Sequence, residues 1–117
     1  MIFAALITAA YFATSSPINW RNPSGEVNAG SMPNPATQPL FDEARRYGIG
    51  FYLGFAELTP AGERYNTAVL VDATGKIVGR YRKVHLPGHS DHKPQAPFQH
   101  LEKLYFNVGN EGFKVWN

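Results

Sequence analysis

The chain of 117 residues contains no cysteine, which removes disulfides, zinc-thiolate sites and a thiol nucleophile from what these residues can supply. Excess charge is small as well. Eleven Lys and Arg stand against nine Asp and Glu, a net +2, too little to imply a polyanionic partner such as nucleic acid. No Lys or Arg precedes Arg21, so the basic start of a secretory signal is missing. The apolar stretch from Ile2 to Ala13, interrupted by Thr8, is too short for a membrane-spanning helix and reads as a buried strand with its turn. The glycines form no phosphate-binding loop, because no Gly-Lys-Ser/Thr run follows Gly48-Ile49-Gly50. No Ser lies in a Gly-x-Ser-x-Gly elbow, which leaves a serine hydrolase triad unsupported.

What is present is globular: 44% hydrophobic, 14% aromatic and 17% charged residues, in a length that allows one domain with a modest core and excludes a two-domain enzyme. Residues 1–39 comprise the apolar start and a long loop, Ser15 to Pro39, which holds five of the nine prolines. A loop of that length in so small a domain is usually functional or part of a larger assembly. Residues 40–117 read as helix and sheet. Leu40, Phe41, Ala44 and Tyr47 share a helical stripe, with Asp42, Glu43, Arg45 and Arg46 opposite and Gly48 as the stop.

From Ile49 the period becomes two. Ile49, Phe51, Leu53 and Phe55 face one way and Gly50, Tyr52, Gly54 and Ala56 the other, up to the turn Thr59-Pro60-Ala61-Gly62. A second strand is expected over Tyr65 to Val71, a turn over Asp72 to Gly75, and a third strand over Lys76 to His85, giving an antiparallel meander. Leu86 to Pro97 reads as a loop, Phe98 to Tyr105 as a short helix, and Asn110 to Trp116 as a last strand, after which the chain stops as a cut edge would.

On the third strand, alternation groups Ile77, Gly79, Tyr81, Lys83 and His85 against Val78, Arg80, Arg82 and Val84. Lys83 therefore falls on a partly apolar face, where an ammonium needs an anion or acceptors. The competing reading is a solvated lysine at a strand end within the basic run Arg80-Tyr81-Arg82-Lys83. His85, His89, Asp91 and His92 can be drawn as a metal site, but without a helix to align them or a further ligand, a polar loop is preferred, and no metal or cofactor is expected. Glu102, near His100, fits either a first-turn carboxylate or a site acid.

Taken together, Gly48-Ile49-Gly50-Phe51, Glu57, Tyr65-Asn66-Thr67-Ala68, Asp72 to His89 and Pro97 to Lys103 resemble the nitrilase superfamily of carbon–nitrogen hydrolases. Within it they are most similar to N-carbamoyl-D-amino-acid amidohydrolases. The resemblance implies an α+β chain that is part of an αββα sandwich, mainly an antiparallel meander with one amphipathic helix. It also implies hydrolysis of a carbon–nitrogen bond in N-carbamoyl amino acids by a Glu, Lys and Cys triad, in a cytoplasmic enzyme whose full-length parent is a homo-oligomer. Lys83 matches the catalytic lysine, Glu102 a further pocket carboxylate, and His85 and His100 residues that orient the substrate.

Two departures bear on activity. Phe3-Ala4-Ala5-Leu6 stands where the family has Phe-Pro-Glu-Leu, so the general base is missing, and the nucleophilic cysteine would lie beyond Asn117. The chain thus reads as an incomplete carbon–nitrogen hydrolase domain without turnover of its own. The alternative is a non-catalytic binding or assembly module derived from the same fold, acting on neither nucleic acid nor membrane.

Overall fold

The computed structural model describes residues 32–116; the apolar start, and with it the strand expected there and Phe3 to Leu6, lies outside the described residues. The order of elements is α1 (Gln38–Tyr47), β1 (Phe51–Leu58), β2 (Arg64–Val71), β3 (Ile77–Arg82) and α2 (Glu102–Tyr105). The three strands form one antiparallel sheet in the order β1-β2-β3.

Helix α1 begins at a turn in which the Asn34 carboxamide oxygen accepts the N–H groups of Ala36 and Thr37, with Pro39 in the first helical positions. It ends as expected at Gly48. With φ of 64°, Gly48 lets its own N–H reach the Arg45 carbonyl and the Ile49 N–H reach that of Ala44, capping carbonyls the helix would leave open. Phe41 and Ala44 are buried, but Tyr47 is 63% exposed, contrary to the stripe expected from sequence. The helix dips into the sheet only at its middle, and the Tyr47 ring instead carries the Arg46 guanidinium, 5.2 Å above it.

Register places Phe51, Leu53, Phe55 and Glu57 opposite Val71, Val69, Thr67 and Tyr65, so these side chains share one face. Phe41, Val69 and Val71 form the core there, with Met32, Phe51, Leu53, Phe55 and Ile77 packed around them and the Phe41 and Phe51 rings edge to face at 5.1 Å. A bulge between the pairs Leu70 with Gly79 and Val71 with Ile77 leaves Val78 as the extra residue. The bulge corrects the expected grouping on β3. Ile77 joins the core face, while Gly79 and Tyr81 stay on the opposite one, where the Trp116 indole lies so close that a Cβ on Gly79 would meet its ring at 2.6 Å.

Two further expectations are corrected. Among the described residues, 110–116 make no strand, because this segment enters no backbone ladder and passes Gly112 at φ of 70°. The helix expected from Phe98 is confined to the four residues Glu102–Tyr105.

Candidate functional site

The face opposite the core carries Asn66 and Ala68 of β2 and Tyr81 of β3. Lys83, one residue past β3, continues that alternation. Its N–H donates to the Asn66 carbonyl at 2.8 Å, and its own carbonyl accepts the Gly109 N–H at 2.9 Å, so the backbone carrying the ammonium is held on both sides. Lys83 is thus anchored to β2 just beyond β3, which ends at Arg82 rather than at His85 as expected.

Glu102 comes to it from 19 residues further on. Residues 86–101 form a closed loop: Leu86 is buried, the His89 N–H donates to the His100 carbonyl at 2.9 Å, and the Lys93 N–H to the Gln99 side-chain oxygen at 2.6 Å. Gly88, at φ of 88°, passes so near the returning strand of the loop that a Cβ would fall 1.9 Å from the His100 carbonyl oxygen. This crossing fixes where α2 begins, and hence where Glu102 stands.

Lys83 Nζ donates to both Glu102 oxygens at 2.9 Å, and Asn66 Nδ2 donates to Glu102 Oε2 at 3.4 Å. The Lys83 and Glu102 side chains are about two-thirds buried. A pair this exposed contributes about 1 kcal/mol or less to stability once solvent screening is counted, so stability alone does not account for it. An ammonium has three N–H donors, and two are taken. Among the described residues the third has no partner, which leaves a directed cationic donor for a ligand oxygen.

The two histidines go elsewhere. His85 is exposed and stacks on Phe113 at 5.8 Å, and Phe113 also stacks on Tyr81 at 6.1 Å. His100 is exposed with its ring edge to face with Phe98 at 4.6 Å, and only its backbone takes part in closing the loop. Neither hydrogen-bonds Lys83 or Glu102. His85, His89, Asp91 and His92 are all exposed, and among the described residues no group of three or more His, Asp or Glu is placed to hold a metal ion.

Sequence reasoning missed a second charged cluster, on the core face. Arg82 grips Glu57 through two hydrogen bonds, Nε to Oε2 at 2.8 Å and an η nitrogen to Oε1 at 2.6 Å, while Thr67 Oγ1 donates to Oε2 at 2.6 Å. The Arg82 guanidinium lies 4.1 Å over the Tyr65 ring and donates to Asn110 Oδ1 at 2.9 Å, and Asn110 donates to the Tyr65 hydroxyl at 3.2 Å. Arg80 pairs with Glu111, whose carboxylate also lies 3.9 Å from Arg82 and 3.7 Å from Lys114. Burial pushes the Glu57 carboxyl up, but the hydrogen bonds from Arg82 and Thr67 and the charges of Arg82 and Arg80 outweigh it, holding the pKa below the ordinary value. Glu111 is lowered in the same way, burial being outweighed by Arg80, Lys114 and Arg82. Alternation carried one step beyond Phe55 would have put Glu57 on the apolar face, a position that demands a cation.

The sequence pattern of the family described as carbon-nitrogen hydrolase matches residues 5–117, and the chain belongs to that family. Citrullinase of Francisella tularensis subsp. tularensis is 36% identical over 74 residues, 63% of this chain and 23% of the relative. N-carbamoylputrescine amidase of Solanum tuberosum is 34% identical over 83 residues, 71% of this chain and 25% of the relative. Aliphatic nitrilase of Rhodococcus rhodochrous is 32% identical over 83 residues, 71% of this chain and 19% of the relative. The crystal structure of a carbon-nitrogen hydrolase from Helicobacter pylori G27 superposes with a TM-score of 0.53 at 28% identity, covering 67% of this chain and 24% of that one. The α+β class and the carbon–nitrogen hydrolase fold expected from sequence are thus found, and the chain spans about a fifth to a quarter of the length of these relatives.

Proposed function

We propose that Lys83 and Glu102 form the carbonyl-polarising part of a site for compounds with a terminal N-carbamoyl group, N-carbamoyl amino acids among them. The observation that carries this reading is the Lys83 ammonium held by both oxygens of Glu102 at 2.9 Å, with its third N–H unpaired among the described residues. Attack on a carbamoyl carbon builds negative charge on its oxygen, and a fixed cation at that oxygen lowers the barrier. The carboxylate keeps the ammonium aimed. His85 and His100, both exposed, are proposed to orient the rest of the substrate.

Family membership supports the reaction class, cleavage of a carbon–nitrogen bond by hydrolysis. The names of the relatives point to citrulline and N-carbamoylputrescine, which share a carbamoyl group on an amine nitrogen. The sequence resemblance narrows the proposal to N-carbamoyl-D-amino acids. Covalent catalysis in this class requires a thiol, and none is present in these 117 residues. The reading is therefore that the chain binds and polarises the carbamoyl group but does not turn it over by itself. Purified protein incubated with N-carbamoyl-D-alanine should release no ammonia at enzyme-like rates, while calorimetry should show binding that Lys83→Met removes. Equal binding by the variant, or rapid ammonia release, contradicts the reading.

A second reading is a binding or assembly module derived from the same fold, favoured by large apolar side chains that stand exposed. Phe113 and Val115, 71% and 89% exposed, would then serve in assembly. A discrete oligomer in size-exclusion chromatography that dissociates on Phe113→Ser supports this alternative, and a monomer that binds the carbamoyl compound discards it.

A further inference from the structure

We infer that Asn66 is a positioning residue of the Lys83 and Glu102 pair, holding both partners at once and thereby setting the direction of the free ammonium donor. The inference rests on the reading of that pair as the ligand site. Its backbone carbonyl accepts the Lys83 N–H at 2.8 Å, and its side-chain Nδ2 donates to Glu102 Oε2 at 3.4 Å. An ionised carboxylate only accepts, so the amide nitrogen, not its oxygen, must face Glu102.

The arrangement has a reason in geometry. Lys83 and Glu102 approach from different parts of the chain, a strand end and the first residue of a four-residue helix, and neither is fully buried. A lysine has four side-chain torsions and its ammonium rotates freely, so two hydrogen bonds to one carboxylate fix the distance but let the pair swing together. A third donor on the carboxylate, mounted on the middle strand of the sheet, stops that swing. Asn66 is placed for this because β2 is flanked on both sides: it pairs with Ala56 of β1, and its carbonyl takes up Lys83 beyond β3. Among the described residues Glu102 Oε2 therefore accepts from a side chain mounted on β2 and from the lysine together, whereas Oε1 accepts from the lysine alone.

The test uses the full chain and two variants. Asn66→Asp keeps the shape and the backbone bond but replaces a donor by a second carboxylate facing Glu102. Asn66→Ala removes the group without adding charge. The first readout is the 15N signal of the Lys83 ammonium, which needs no ligand; the amide spectrum of the three strands serves as the check on folding. We expect both variants to shift and broaden the ammonium signal while the strand amides stay in place. The second readout is calorimetric binding of N-carbamoyl-D-alanine, expected to weaken about tenfold in Asn66→Ala, the size of one hydrogen bond to a charged group. An ammonium signal unchanged in both variants overturns the inference, as does unchanged binding in Asn66→Ala. An altered ammonium signal in a protein that never binds the carbamoyl compound supports the positioning role and removes the proposed function instead. If Asn66→Asp unfolds, Asn66→Ala alone carries the same two outcomes.

Discussion

At the scale of single residues the two charged clusters behave differently, because one is nearly out of water and the other is not. Glu57 and Arg82 keep side-chain exposures of 10% each, so removing either partner strands the other's charge. Glu57→Gln should destabilise the chain by about 3 kcal/mol, the low end for breaking a buried pair, measured as a lower urea midpoint. The pH dependence follows from the same contacts. The Glu57 and Glu111 carboxyls are held below their ordinary value of 4.5 in the folded chain, so the unfolded chain binds protons first as pH falls. Their stabilisation is complete above roughly pH 5 and is lost as pH drops through the folded pKa values. A urea midpoint followed from pH 7 to pH 3 should fall less steeply in Glu57→Gln than in the parent; parallel curves contradict the assignment.

At the scale of elements, two glycines with positive φ separate strain from collision. At Gly48 a Cβ would meet nothing within 4 Å, so Gly48→Ala should cost only the left-handed penalty of about 1 kcal/mol. At Gly88 the added carbon would also strike the His100 carbonyl. Gly88→Ala should therefore cost more than Gly48→Ala, and it alone should disturb the Lys83 ammonium signal, since the loop that carries Glu102 must move. Equal thermal shifts from the two variants would count against the crossing described for residues 86–101.

Much of this was legible. The C-terminal stop of α1 and the period-two runs of β1 and β2 followed from local chemistry, because each is written in adjacent residues. Ile77 was misplaced because a bulge changes the phase of alternation without leaving a mark that Val78 or Gly79 would show in sequence. The last strand failed for a related reason: an apolar run from Phe113 to Trp116 fits a strand, but a ladder requires a partner that the run itself does not specify. Lys83 and Glu102 are 19 residues apart and share no regular element, so only the family resemblance brought them together, and Asn66 was named in that motif with no role.

At the scale of the molecule, the sheet divides its labour between its faces. One face buries Val69 and Val71 against Phe41 of α1 and ends in the Glu57 and Arg82 cluster. The other presents Lys83 and Glu102, with Phe113 stacked on Tyr81 and His85 nearby in sequence. Separation of this kind lets the buried cluster fix the strand end beside Lys83 while the Lys83 and Glu102 pair stays only half-buried. Arg82→Leu, which removes the neighbour of Lys83 from the core face, should accordingly lower both stability and carbamoyl binding, whereas Lys83→Met should lower binding and leave the unfolding free energy from urea titration within about 1 kcal/mol of the parent.

Polarisation of the bound carbamoyl group is read from the 13C shift of the carbamoyl carbon in labelled N-carbamoyl-D-alanine when it binds. Polarisation by the free Lys83 donor predicts a downfield displacement in the parent chain that disappears in Lys83→Met. A bound ligand whose carbamoyl carbon resonates at the same position in both proteins would contradict it.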